Sequence, residues 1–480
     1  MDFRIIAYFI GCTLNIEAAL LLLPLICSVL YKEAVFPYLL TMAICLLFGV
    51  PCVFRRPAAK HFLSREGFAA TGLTWIVLSL TGMLPFLLTG AMKSPVDALF
   101  ETVSGFTTTG ASILRDVEAL PHGLLLWRSF MHWIGGMGIL VFMMALVPLS
   151  GGSQMNLMRA ESPGPSIAKL VPRAQDTAKL LYGIYTAMTA LTALVLMMLK
   201  MPVFDAVCIS FGAAGTGGFS ILNDGCASYT IAQQNVITAA MIAFGVNFNF
   251  YYLLLIRKQR LAFGMEEVRY YLIIIAAAIF MITVNLLSRH IYHDPGAALQ
   301  TAAFHVGSII TTTGFATENI NLWPNLSQCI LVLLMFCGAC AGSTGGGLKV
   351  SRLVLLARGF GRELAALLHP GLVRRVHMDG RPVEEAVMRS TGMYFFIYTF
   401  IFALSLLLIS LDRMDWTSNY TAVAATFNNI GPGLGLVGTT GNYAAFSDFS
   451  KLVLTADMLI GRLEIFPILL LLSPDTWRKF

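Results

Sequence analysis

A chain of 480 residues that is 57% hydrophobic and only 12% charged, with a mean hydropathy of +0.75, is far more apolar than a soluble protein, in which about a quarter of residues are charged. Apolar runs near the length of a membrane span, such as residues 270–287 and 391–411, recur from end to end, so the composition excludes a large soluble domain. The net charge of +6 is confined to particular loops, which argues against a nucleic-acid surface and for a membrane orientation set by basic residues.

In chain order, residues 4–30 read as a first span. Phe9-Ile10-Gly11-Cys12 faintly resembles a lipoprotein cleavage box, but the apolar stretch before it is about half a signal sequence and the hydrophobic run continues past it, so the span is expected to be retained. A second span over 35–55 returns the chain to Arg55-Arg56. These two N-terminal transmembrane helices occupy segment 1–68. Four units follow near 69–148, 178–257, 269–358 and 385–473, each reading span, short half-helix, glycine loop, span. With their connections they divide the chain into repeat 1 (69–148), repeat 2 with a preceding cytoplasmic loop (149–257), repeat 3 with a Gly-rich loop (258–358), and a cytoplasmic loop with repeat 4 (359–480). The predicted fold class is an all-α polytopic membrane protein of four such repeats, plus the two leading helices. That makes ten full spans.

Basic clusters at Arg55, Arg56, Lys60 and Arg65, at Arg159, Lys169, Arg173 and Lys179, at Arg257, Lys258, Arg260 and Arg269, and over 349–389 mark cytoplasmic loops. The loops after the glycine motifs hold Asp116, Glu118, Asp224, Glu318 and Asp448 with few basic residues such as Arg115, and face out. Both termini are then cytoplasmic. Counting 13 residues back from each motif glycine reaches Asp97, Asp205, Thr301 and Ser418, residue types favoured near helix starts. Ser94-Pro95 and Asp294-Pro295 offer an alternative as N-cap and first helical residue. Either way the negative end of each half-helix points toward the bilayer centre, where it favours a cation.

The motifs themselves are Thr107-Thr108-Thr109-Gly110-Ala111, Gly215-Thr216-Gly217-Gly218-Phe219, Thr311-Thr312-Thr313-Gly314-Phe315 and Asn428-Asn429-Ile430-Gly431-Pro432, whose aligned glycines are spaced by 108, 96 and 117 residues. Irregular backbone at membrane depth survives only where protein or a water-filled cavity satisfies it. Four such loops around one axis would form a ring of carbonyl oxygens, an ion filter. Gly110, Gly218, Gly314 and Gly431 supply backbone angles that side chains resist, and Thr108, Thr109, Ala111, Thr216, Gly217, Phe219, Thr312, Thr313, Phe315, Asn429, Ile430 and Pro432 complete the candidate ion site. The ligands are neutral dipoles, so the expected ion is monovalent and weakly hydrated, with potassium the best fit; a hard divalent cation would want carboxylates. No other metal is expected.

The stretch Gly342-Ser343-Thr344-Gly345-Gly346-Gly347-Leu348-Lys349 breaks an apolar run in repeat 3. Its lysine is one place late for a phosphate loop and no strand precedes it. Two readings stand: a flexible gate under the filter, or a Gly-rich helix contact. Arg462 lies mid-span in the last helix with Asp457 and Glu464 near it; it either faces the pore and repels a permeating cation, or forms a structural ion pair. Glu17, Glu101, His132 and His305 read as hydrogen-bonded structural groups, and Cys337-Gly-Ala-Cys340 as a coincidental spacing. No catalytic constellation stands out, so an enzyme is not expected.

Jointly, Thr108–Ala111, Thr216–Phe219, Thr312–Phe315, Asn429–Pro432, the Trp-Ile-Gly-Gly-Met-Gly run at 133–138 and the 342–349 stretch make the chain resemble the TrkH/KtrB superfamily of potassium uptake proteins, over essentially its whole length and on the TrkH branch. The resemblance implies four membrane-pore-membrane repeats, K+ channel-like, around a pseudo-fourfold pore, a homodimer with one pore per protomer, a gating loop in repeat 3, a bacterial inner-membrane location, and a TrkA-type cytoplasmic nucleotide-binding regulatory subunit. The basic loops around Arg358–Arg381 are the candidate docking surface for it, though lipid headgroups would explain them equally well. Nucleotide would bind that partner, with no cofactor on this chain beyond transported K+. One departure stands out: Gly217 replaces the threonine of loops one and three, which puts discrimination against sodium in question. Alternatives left open are a sodium-dependent or less selective Na+/K+ transporter, proton- or sodium-coupled symport, a membrane-embedded enzyme, and a non-conducting partner subunit.

Overall fold

The computed structural model describes residues 3–54, 64–138, 174–369 and 375–478. The basic residues Arg55, Arg56, Lys60, Arg159, Lys169 and Arg173, the end of the first predicted repeat at 139–148, and 370–374 of the predicted docking region lie outside them. The described chain is helical apart from connecting loops and a two-stranded hairpin, in which His377–Met378 pairs antiparallel with Arg381–Pro382. Apolar side chains on many of these helices are exposed, among them Phe48, Leu191, Phe280 and Phe396, as expected where lipid covers the outside.

Phe3–Leu30 forms the first span, and its helix packs along Phe36–Phe54. Glycines allow the close approach: a Cβ on Gly11 would stand 2.6 Å from that of Cys52, and one on Gly49 3.0 Å from the Gly11 carbonyl. Each of four later units opens with a long helix: Ser64–Gly82, Ala174–Met198, Glu266–Ser288 and Glu385–Ile409.

The second helix of each unit is short: His122–Met137, Ile231–Phe244, Asn325–Cys337 and Asp448–Arg462. All four stop at a break. Gly138 and Gly338 take φ of 85° and 67°; Glu464 and Ile465 take 51° and 72°; and after Phe244 the chain leaves at 90° along Phe248–Leu255. Six described helices are therefore long and apolar enough to cross a membrane, seven if the bent pair is one span. The sequence predicted ten full spans, one of them broken by the Gly-rich stretch of repeat 3. At about 1.5 Å per residue, the short second helices fall below the roughly 30 Å of hydrocarbon.

Between the two helices of each unit lies a half-helix: Pro95–Phe106, Val203–Gly215, Pro295–Ile310 and Trp416–Phe427. Ser94 caps the first by accepting the Asp97 N–H, and Asp294 caps the third by accepting those of Gly296 and Ala297. Each is followed by proline at the first helical position, whose missing N–H costs nothing there. The Ser94-Pro95 and Asp294-Pro295 alternative is the one adopted. Asp97, Asp205 and Ser418 sit third in their helices rather than starting them, and Thr301 lies two turns in. Asp415 caps the fourth, and the Ser418 hydroxyl and N–H hold its carboxyl below the usual range.

Candidate functional site

Each half-helix ends in the same hydrogen-bonded turn. Thr109, Gly217, Thr313 and Ile430 donate their N–H groups to carbonyls five residues back, on Ser104, Gly212, Ser308 and Ala425, at 2.8–2.9 Å. The residues before them, Thr108, Thr216, Thr312 and Asn429, donate to Gly105, Ala213, Ile309 and Thr426 at 3.1–3.2 Å. This is a Schellman-type helix end, which requires a left-handed residue, usually glycine. Here that position is never glycine: Thr108, Thr216, Thr312 and Asn429 take φ of 54–60°. Two residues on, Gly110, Gly218, Gly314 and Gly431 take φ of 73–93°.

The four turns meet in a closed ring. A Cβ added to Gly110 would lie 1.9 Å from the Gly217 carbonyl oxygen, one on Gly218 1.9 Å from that of Thr313, one on Gly314 2.1 Å from that of Ile430, and one on Gly431 2.6 Å from that of Thr109. Each glycine thus abuts the carbonyl that precedes the glycine of the next unit, in the order one, two, three, four, one. Any side chain would enter that contact, so glycine is required by space as well as by φ. The outer collar repeats the order: Val117 donates to Asn223, Cys226 to Ala316, Asn321 to Gly435 and Tyr443 to Ser112. Above the ring opens a cavity of about 140 Å³, its lining including Gly110, Ala111, Gly218, Phe219, Gly314, Phe315, Gly431 and Pro432.

Surrounding groups hold the ring in place. The His132 imidazole fills the space beside Gly217, where a Cβ would stand 2.2 Å from its Cγ. Its Nδ1 lies 2.8 Å from the Gly105 carbonyl oxygen and its Nε2 accepts the Phe219 N–H at 3.1 Å, so it bridges turns one and two. This is why loop two carries glycine where loops one and three carry threonines, whose hydroxyls pair locally: Thr107 with Thr109 and Thr311 with Thr313. The departure removes a side chain and leaves the backbone carbonyl in the ring. On the outer side, Arg128 and Glu101 form a fully buried ion pair at 2.8 Å. Glu101 also accepts the Ile113 N–H, while Arg128 donates to the Ser220 carbonyl and stacks 4.0 Å over the Phe219 ring. His305 bonds to the Thr301 carbonyl and Glu17 accepts from Thr81.

Beneath the ring, residues 338–349 interrupt the helix between Asn325–Cys337 and Val350–Leu368. The Gly346 N–H donates to Thr312 Oγ1 at 2.7 Å, and a Cβ on Gly346 would stand 2.5 Å from the Asn428 carbonyl. Gly345 approaches the Thr311 carbonyl, Ser343 Oγ bonds to the Cys340 carbonyl, Gly342 lies beside Asn247, and Gly347 packs on Gly338. Lys349 is buried and its Nζ donates to the Gly345 carbonyl. Arg462 reaches the same place. Its guanidinium donates to the Thr344 carbonyl at 2.8 Å, to the carbonyls of Gly135 and Gly136 at the break of the first unit's second helix, and to Thr108 Oγ1 at 3.3 Å. Of the two acids near it, Glu464 pairs with Arg352 and Asp457 accepts from Ser405.

The matching family model, described as TrkH cation transport protein, spans residues 36–479. The chain belongs to the TrkH family of cation transport proteins. It is 37% identical to the Trk system potassium uptake protein TrkH of Vibrio parahaemolyticus and 35% identical to that of Escherichia coli K12, with 100% of both chains covered in each case. It is 30% identical to the Trk system potassium uptake protein TrkG of E. coli K12 over 99% of each. The crystal structure of the potassium transporter TrkH from V. parahaemolyticus matches the whole fold with a TM-score of 0.91 at 33% identity. Membership places this chain among transport proteins rather than enzymes.

The sequence reading did not single out Arg128, Asn247 or Glu267 for this TrkH-family chain. Arg128 carried a signal, a cation amid the apolar residues 124–134. Asn247 and Glu267 did not, because each sits at a helix end where a polar residue needs no special explanation.

Proposed function

We propose that this TrkH-family chain takes up potassium across the bacterial inner membrane, passing the ion through the ring of carbonyls at Thr109, Gly217, Thr313 and Ile430 and the neighbouring oxygens of the four turns. The observation that carries this reading is the cyclic contact of each glycine with the next unit's carbonyl, which leaves uncharged backbone oxygens as the groups at the constriction. Carbonyl dipoles can replace the water of a weakly hydrated monovalent ion. The four half-helices aim their negative ends at the same point. Residues 342–349 act as the gate and Arg462 as the charge that holds it under the ring. A TrkA-type nucleotide-binding subunit on the cytoplasmic side would move that gate, and the chain would work as a homodimer with one pore per protomer, both termini cytoplasmic. The names of its relatives support the ion, and the position of the 338–349 segment supports the gate.

Rubidium and sodium flux into proteoliposomes tests the reading. Rubidium uptake blocked by excess potassium and little affected by sodium is the expected result; equal sodium flux would replace it with a less selective Na+/K+ transporter. Repeating the assay with an imposed proton gradient distinguishes passive flux from symport.

A further inference from the structure

The gate segment is fastened by a carboxylate that no part of the ion path uses. Glu267, in the first turn of the helix Glu266–Ser288, is buried. Its Oε1 accepts the Ala341 N–H at 2.6 Å and the Ser351 N–H at 3.1 Å, and its Oε2 lies 3.5 Å from Asn247 Nδ2. Ala341 and Ser351 flank the 342–349 stretch, one on each side. A single oxygen therefore ties its two ends together.

The rest of the neck is consistent with a closed loop docked on a prepared seat. The Val350 N–H donates to the Ala339 carbonyl at 3.1 Å, and Gly338 and Gly347 are in backbone contact. The seat is the break in the second unit's second helix: Cys340 donates to the Gly245 carbonyl at 3.1 Å and Phe248 to the Gly342 carbonyl at 3.0 Å. The start of the helix that carries Glu267 is tied to the His377–Pro382 hairpin, where Asp379 at the tip accepts the Glu266 N–H at 2.8 Å. Charge-assisted bonds from a carboxylate to backbone N–H groups are among the stronger hydrogen bonds.

We propose that Glu267 is a positioning residue that clasps the two ends of the 342–349 loop and so sets how readily the segment leaves its place under the ring. The consequence for flux rests on the gate reading above; the consequence for loop order does not. Hydrogen–deuterium exchange on the reconstituted chain separates the two. In Glu267→Ala the amides of Ala341 and Ser351 should exchange at least about tenfold faster, the effect of removing a charged acceptor from one part-buried and one buried donor. In Glu267→Gln the remaining carbonyl oxygen can still accept both N–H groups, so exchange should return toward that of the unaltered chain. Basal rubidium flux should rise several-fold in the alanine variant and much less in the glutamine variant. Unchanged exchange at both amides in Glu267→Ala overturns the clasp whatever the flux does. Faster exchange with unchanged flux keeps the clasp and overturns the gate. Should Glu267→Ala not insert, Glu267→Asp, which keeps the charge and shortens the reach, carries the same exchange criterion.

Discussion

The His132 imidazole occupies the space that a side chain on Gly217 would need, with its Cγ 2.2 Å from the position of a Cβ there. Two chemistries thus brace the same position of the ring: a threonine hydroxyl pair in loops one and three, and a histidine wedge in loop two. Gly217 is not among the left-handed glycines, so the obstacle to a side chain is spatial. Gly217→Thr, which copies loops one and three, should lower rubidium uptake about tenfold, in keeping with an overpacking cost of roughly 1–3 kcal/mol. Adding His132→Ala should recover part of the loss. Uptake of the single variant at the unaltered level would remove this account of why loop two differs.

Gly110→Ser and Gly314→Ser meet both obstacles at once. Each glycine has φ above 70° and a neighbouring carbonyl within 2.1 Å of any Cβ. The serine variants should insert and fold, because the disturbance is confined to one turn, yet pass at least about tenfold less rubidium or lose preference over sodium. Paired potassium and sodium flux measurements on purified, monodisperse protein read this out. Normal selectivity and flux in both would mean that ions do not pass the ring.

Most of this arrangement was legible because it recurs. The aligned glycines and the 342–349 stretch are exceptions to helical sequence in apolar surroundings, and both coincide with real interruptions. Where a feature depends on packing, the sequence was silent. A count of 13 back from the glycine reaches the first turn of three half-helices, which begin 15 residues before it at Pro95, Val203 and Trp416, but not of the third, which begins 19 before it, at Pro295, one turn longer. The second helices break at Gly138 and Gly338 in units one and three, but near Asn247 and at Glu464-Ile465 in units two and four, so no single residue type marks the break. Arg462, bonded to the Gly135 and Gly136 carbonyls, satisfies helix-end acceptors from a distant part of the chain, and no local pattern records that. Nor did any threonine announce its left-handed conformation.

Removing residues 345–347 deletes the backbone that touches Thr312 and the Asn428 carbonyl while sparing the Glu267 clasp. Basal flux should rise, and a regulatory partner should no longer change it. The check is flux with and without the partner in the same liposomes. Unchanged basal flux together with intact partner regulation would return the segment to a Gly-rich helix contact.

Arg462 joins the Thr344 carbonyl of the loop to the Gly135 and Gly136 carbonyls and Thr108 Oγ1; on the proposed gate reading it would hold the closed arrangement while placing a positive charge under the ring. Arg462→Ala removes both effects, and single-channel conductance should increase. Arg462→Lys keeps the charge but cannot span the same acceptors with a planar fork. It should therefore open more readily than the unaltered protein at a conductance close to it. Equal behaviour of the alanine and lysine variants would mean the charge itself contributes nothing to throughput.

The Glu101–Arg128 pair gives a stability test independent of transport. Both side chains are at most 2% exposed, and together they fix the exits of turns one and two through the Ile113 N–H and the Ser220 carbonyl. Removing one partner strands the other charge without water, a loss of about 3–5 kcal/mol, whereas replacing both with apolar residues avoids that penalty. Arg128→Met should therefore lower the melting temperature in detergent sharply, and Glu101→Met likewise. The double variant should melt above at least one of the singles, a coupling that additive effects would not produce. Because the Ile113 N–H then lacks its acceptor, the double variant should remain below the unaltered protein and show weakened ion selectivity. Strictly additive losses would indicate that the two charges are satisfied separately, leaving the pair no part in aligning turns one and two.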